Sequence, residues 1–391
     1  MDERTRAYLR GRFGDHYRRT AIDPPPSADA REWAYMPFRE GGPRMVRHRT
    51  LLDLGELDDF LARERPRHVY FSAGRYDDPG ANSMEAKGWR GSDLVFDLDA
   101  DHLPGVDPAE TAYADMLAAC KEALLDLLDF LDRDFGFENC SIVFSGNRGY
   151  HVHVRDDSVQ GLDSQSRREI VDYVRGTGLD PEAVIREEAV GGSAGRETPA
   201  DKRTLPTDGG WGRRAHEHLL EVVESLAAAD EDDAIDRLES YEGIGETRAA
   251  AAHRAIVENG DAIRAGNVDV HPAFTQFAKR VIEEAIDEEM APIDEPVTTD
   301  VNRLIRLPGS LHGGSGLEVV ALDRSAVEAF DPLVDAVPET FRGREIAVAV
   351  DDETRIDLDG DSFTLDGGVS RVPEPVGVSL MARGDARKAP E

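Results

Sequence analysis

Apolar residues along the chain fall into two textures. Up to about residue 163, and again from about residue 291, short apolar runs bounded by Gly, Pro, Asn and Asp predict strands. These are Glu32–Tyr35 and Arg44–Thr50 joined by a Gly41-Gly42-Pro43 turn, His68–Ser72, a run ending in Asp97-Leu98-Asp99, Ser141–Phe144 and Tyr150–Val154 around a Gly-rich turn, and later Val301–Arg306, Glu318–Leu322 and Glu345–Val350. Helical spacing interrupts them before Pro24-Pro25-Pro26, at Leu51–Arg63 and over Ala109–Phe135. From 164 to 290 the pattern is helical throughout, acidic and Ala-rich, with helices expected near Ser166–Val174, His216–Ala229 and Phe274–Met290; Tyr241–Gly245 reads as a plain turn between two of them. The pattern predicts an α+β protein: a core of mixed and antiparallel sheets flanked by helices (1–163 and 291–383), a helical insertion (164–290) and a disordered tail (384–391).

Charge changes the picture in one respect. The 391 residues carry a formal net charge of −33, which would ordinarily argue against a nucleic-acid partner. Yet only five of the 46 basic residues are lysines (Lys87, Lys121, Lys202, Lys279 and Lys388), the rest being arginines. Excess carboxylate with scarce lysine is a halophile composition, so net charge reports the solvent and partners must be sought in local islands such as Arg44–Arg49 and Arg303 with Arg306. No apolar run is long enough for a membrane span, and the charged N-terminus lacks the apolar stretch of a signal peptide, which predicts a soluble, cytoplasmic protein. Cys120 and Cys140 are read as free thiols.

Candidate chemistry begins with Asp97 and Asp99. Strand side chains alternate faces, so these carboxylates point the same way with Cα atoms roughly 7 Å apart, a spacing suited to a Mg²⁺ or Mn²⁺ site. Ser145-Gly146-Asn147-Arg148-Gly149-Tyr150-His151 forms a second constellation. It offers accessible backbone amides, a hydroxyl, a guanidinium and an imidazole between two strands, a phosphate cradle that cannot be a Walker loop because no helix follows. A third runs from Asp294 through Asp300, Arg303 and Arg306 to His312.

The blocks Phe96–Asp99, Ser145–His151 and Leu304–His312, in this order, resemble the catalytic small subunit of the archaeo-eukaryotic DNA primase family, and Arg31–Tyr35 and Val46–Arg49 resemble its N-terminal strands. The resemblance implies the archaeo-eukaryotic primase catalytic fold and a primase that makes short RNA or DNA primers on single-stranded DNA from nucleoside triphosphates. It implies metal binding by Asp97 and Asp99 and a third catalytic carboxylate at Asp294, because eukaryotic members carry Asp twelve residues before the basic residue that corresponds to Arg306; Asp300 is the rival. Triphosphate contacts would fall to Ser145, Arg148, His151, Arg306, His312 and Arg47. The family also implies a large-subunit partner carrying an iron-sulfur cluster. Members often hold a zinc knuckle between the first two blocks; with only His102, Cys120 and Cys140 available there, no zinc is expected. A repair or translesion primase-polymerase is the alternative within the superfamily, and a DxD glycosyltransferase the alternative outside it, which would leave Arg148, His151, Arg306 and His312 without a role.

Overall fold

A computed structural model of the chain describes residues 1–42, 44–190, 200–288 and 290–390, so Pro43 of the expected turn and the last residue of the tail lie outside the described residues. Two compact units result: residues 1–125, 137–171 and 292–391, and residues 126–136 with 172–291.

The first unit is built on two antiparallel sheets. In one, β3 (His68–Tyr76) pairs along one edge with β1 (Arg31–Met36), which in turn pairs with β2 (Val46–Arg49). Its other edge is shared by β4 (Trp89–Ser92) and β10 (Leu304–Arg306), the latter in the register Arg306 to Tyr70. The other sheet runs β11 (Val320–Leu322), β6 (Cys140–Phe144), β7 (Gly149–Val154), β5 (Leu94–Asp99). Leu94, Val95, Phe96 and Leu98 are buried, as are Val152, Val154, Ile142 and Phe144, so this sheet forms a core, while Asp97 and Asp99 at the end of β5 are half-buried.

The sheets are joined by buried charge. Arg31 donates to both carboxylate oxygens of Asp93 (2.9 and 3.0 Å) and to the Ser72 and Ala73 carbonyls (2.7 and 2.8 Å), and the Asp93 N–H donates to Ala73. Arg155 adds 3.0 Å to the same carboxylate, and the ring of His153 stacks on Phe71 of the facing sheet at 5.9 Å. Arg167, on the Ser164–Val174 helix, is fully buried and donates to the carbonyls of Asp93 and Ser92 (2.9 Å each). That anchorage is why residues 164–171, expected to open the insertion, belong to the sheet unit.

The tail corrects an expectation. Instead of being disordered, β16 (Ala386–Lys388) pairs with β12 (Glu345–Val350), whose other edge carries β15 (Gly368–Pro373). Lys388 is buried because its ammonium donates to the Ala347 and Ala389 carbonyls (3.2 and 2.9 Å) and its N–H to Thr5 Oγ1 (2.9 Å), which offsets its desolvation. A hairpin of β13 (Thr354–Leu358) and β14 (Asp361–Leu365) completes this part.

Among the described residues the second unit is mainly helical, with helices at Gly210–Ala228, Glu231–Glu239, Glu246–Glu258 and Pro272–Glu288, and β8 (Arg186–Val190) pairs antiparallel with β9 (Ala200–Thr204). It takes in the end of the long helix expected over Ala109–Phe135, which is α-helical only over Tyr113–Asp129 and continues as a π turn, Phe130–Asp134. There Arg213 and Arg214 reach Asp129 at 2.7 and 2.6 Å, and the Arg214 guanidinium lies 3.5 Å over the Phe130 ring. Among the described residues, no helix is long and apolar enough to cross a membrane.

Candidate active site

The register of β5 against β7 sets Asp97 opposite His151 and Asp99 opposite Gly149. His151 Nε2 lies 3.2 Å from Asp97 Oδ1, and the Asp97 side chain remains 19% exposed. Burial works to raise the pKa of Asp97, but His151, Arg303 and Arg306 outweigh it and hold the group ionised, below the usual carboxylate range. Position 149 admits only glycine: a Cβ would collide with the Leu98 carbonyl on β5. Asp99 is partly turned to local work, since its Oδ1 accepts from the Asp101 N–H at 3.2 Å and caps the Ala100–His102 turn.

The turn between β6 and β7 is fixed from two directions. Ser145, buried, donates its N–H to the Gly149 carbonyl at 2.9 Å, and Arg148 pairs with Asp101 Oδ2 at 2.5 Å. Gly146 has φ +79° and packs so close to His312 that a Cβ would sit 2.8 Å from the histidine's own. Ser315 Oγ donates to the Gly146 carbonyl (2.5 Å) and lies 3.1 Å from His312 Nδ1, so the loop after Pro308 and the phosphate-cradle turn form one piece. The rings of His312 and His68 meet edge to face at 4.8 Å. Burial, reinforced by Arg306 and Arg67, pushes His68 down to about 3. Burial, then Arg306 and His68, drives His312 well below its ordinary value, so both imidazoles are neutral at pH 7.

The first sheet contributes the opposing wall. Arg306 sits over the Tyr70 ring at 5.9 Å, with a buried Nε that has no hydrogen-bond partner. Arg47, 44% exposed, holds Glu32 Oε1 at 3.1 Å. Glu32 is buried and also bound by Lys87 and the His48 N–H (3.0 Å).

A cavity of about 340 Å³ collects these groups; Arg47, Tyr70, Asp97, His151, Asp300, Arg303 and Arg306 all line it, together with Met45 and Asn302. The expected residues Asp99, Ser145, Arg148 and His312 are not in its lining. Asp294 also lies off the lining, yet its N–H donates to the Asp97 carbonyl at 2.9 Å, which sets it directly beside β5. Asp300 lines the cavity with one carboxylate oxygen on the Asn302 N–H at 2.8 Å.

Among the described residues, no three carboxylate, imidazole or thiol groups converge on one point. A cation here would therefore rest on a few carboxylate oxygens, with water and phosphate completing its shell. An all-oxygen donor set of this kind fits a hard divalent ion. Cys120, by contrast, is buried with its thiol on the Leu98 carbonyl (3.5 Å), and burial raises its pKa far out of the range of a thiolate ligand.

Comparison with known proteins bears directly on this site. The sequence model of one family, described as DNA primase small subunit, matches residues 96–323, a span that holds every candidate residue except Arg47. Over the whole of both chains, this protein is 62% identical to the DNA primase small subunit PriS of Haloarcula marismortui. The chain belongs to the DNA primase small subunit family. It is 61% identical to PriS of Natronomonas pharaonis over the full length of both, and 41% identical to PriS of Methanothrix thermoacetophila over 99% of each. Membership makes it a primase, a nucleotidyltransferase of DNA replication, and the α+β architecture described above accords with that family. The family implies dependence on a divalent metal.

Several groups of this primase site escaped sequence reasoning. Arg303 was visible as half of a basic island but had no stated role; it lines the cavity and helps keep Asp97 ionised. Tyr70 and Glu32 carried no signal beyond strand periodicity. Asp101 stood in plain sight after Asp99, but nothing local told that it would take Arg148.

Proposed function

We propose that this primase small subunit joins nucleotides on a single-stranded DNA template by in-line transfer at the Asp97 cavity, with Asp97, Asp99 and Asp294 as its catalytic carboxylates. The observation that carries the reading is the meeting, in one cavity, of an ionised Asp97 on one sheet with Arg47, Arg303 and Arg306 from the other. Asp294 is favoured over Asp300 as the third carboxylate because its backbone is bonded to Asp97, while Asp300 already caps Asn302. Two Mg²⁺ or Mn²⁺ ions held by these carboxylates would supply Lewis acidity for the attacking 3′-hydroxyl and the leaving pyrophosphate.

The chain's own residues do the remaining work. Arg306 and Arg47 bind the triphosphate with planar, charge-assisted hydrogen bonds, and the partnerless Nε of Arg306 is one donor kept for it. Arg148 leaves Asp101 for the same phosphates, and Ser145 and the turn amides complete the cradle. His151 orients Asp97, and His312, held by the Ser315 bridge, stands beside the cradle turn as a neutral imidazole that adds no charge of its own. Fixing the nucleotide against the primer end converts an encounter into a positioned displacement. A primase large subunit is the expected partner, and the cytoplasm the expected compartment.

The test is primer synthesis on single-stranded template with labelled nucleotides at high salt, with and without the large subunit. Product should vanish on chelation, return with Mg²⁺ or Mn²⁺, and be lost in Asp99→Asn while thermal unfolding is unchanged. Synthesis that survives either treatment removes the assignment.

A further inference from the structure

A second cavity, of about 310 Å³, shares no lining residue with the first. Its wall includes Tyr113, Leu333, Arg355, Ile356, Asp357 and Arg383. Tyr113 connects it to the turn, because its hydroxyl donates to the Asn147 carbonyl at 2.5 Å.

Some buried guanidiniums are fully engaged: Arg31 by Asp93 and two carbonyls, Arg167 by three carbonyls. Arg383 instead lies 4.4 Å over the Tyr113 ring, with a buried Nη2 that has no hydrogen-bond partner and no carboxylate within ion-pair distance among the described residues. Arg355 is 72% exposed and its nearest carboxylate, Asp357, is 3.9 Å away. In a chain with 79 acidic residues against 46 basic ones, a cavity lined by two arginines and the single carboxylate of Asp357 keeps a net positive charge. A guanidinium pre-oriented on an aromatic face, a second at the rim and apolar Leu333 and Ile356 between them match a phosphate with a sugar attached.

We propose that this cavity is a second phosphate subsite, which binds a nucleotidyl phosphate of either a nucleic-acid strand or a second nucleotide. Through Tyr113 and Asn147 its occupant steadies the turn that carries Ser145 and Arg148. The proposal rests on the primase reading only for the class of ligand.

The test uses the full chain and its Arg383→Gln, Arg355→Gln and double variants. Fluorescence anisotropy with labelled single-stranded DNA across a KCl series forms one arm, and calorimetric titration with ATP and Mg²⁺, read for stoichiometry, forms the other. If the source is a strand, the double variant should bind DNA several-fold more weakly, with a log–log salt slope smaller by about one, and titrate ATP as the parent does. If the source is a nucleotide, the second ATP equivalent should disappear while DNA affinity holds. Parental behaviour in both arms overturns the subsite. Arg355→Gln, an exposed change, carries the test should Arg383→Gln not fold, and Arg383→Lys should recover only part of the loss because it keeps the charge without the planar stack. Primer synthesis by Asp97→Asn reads the catalytic assignment separately, so failure of that assignment and failure of this one are told apart.

Discussion

Asp93 and Asp97 lie four residues apart on one stretch of chain, and each faces a histidine of the same neighbouring strand, yet they serve opposite ends. Asp93 is 1% exposed and takes Arg31, Arg155 and, at 3.6 Å, His153; burial alone would raise its pKa, but these partners drive it far below the usual carboxylate range. Asp97 has one imidazole at 3.2 Å and a cavity in front of it. A carboxylate whose lone pairs are all taken holds sheets together, whereas one with lone pairs left over can hold a ligand. Exposure and partner count, not residue type, separate the two.

The largest effect should come from breaking Asp97. Asp97→Asn keeps the shape and a hydrogen-bond acceptor toward His151 but removes the charge, so primer synthesis should fall on the order of 10³-fold with little change in unfolding temperature. Asp93→Asn should do the reverse. With Arg31 left uncompensated, stability should drop by about 3–5 kcal/mol, read by denaturant unfolding in high salt, while turnover per folded molecule is retained. If Asp93→Asn spares stability and abolishes turnover, the comparison fails.

The third carboxylate sharpens it further. Asp294→Asn should lower synthesis about 10²-fold, and Asp300→Asn only a few-fold because the amide oxygen still accepts from Asn302. The opposite ranking, in primer-extension rates on folded variants, would move the role to Asp300.

The smallest effect concerns pH. His68 is neutral when folded, pushed down to about 3 first by burial, whereas the unfolded chain takes up its proton near 6.5. Stability should therefore be independent of this group above pH 6.5 and fall, by about 1 kcal/mol per pH unit, between 6.5 and 3. Unfolding temperatures measured from pH 7.5 to 5 should decline less steeply in His68→Gln than in the parent.

Much of the site was legible because its signals are local. Two carboxylates on alternate strand positions must share a face, and a Ser-Gly-Asn-Arg-Gly turn between strands must expose amides. Where the reading stopped, the missing information was a partner distant in sequence. Arg303 and Arg306 become cavity walls only once β10 pairs with β3, and Arg148 looks free until Asp101 is folded against it. The tail misled for the same reason, since its arginines, lysine and terminal position suggest disorder, and only the open edge of β12 shows what orders it.

The sequence by itself determined the strand-borne carboxylate pair, the phosphate-cradle turn, the α+β class and the acid-rich surface, all of which follow from backbone periodicity, glycine geometry and composition over a few residues. Tertiary structure alone decided which charges are spent and which are left for a ligand. Satisfaction of a buried charge depends on groups brought in from other strands and helices, and no short window of sequence contains them.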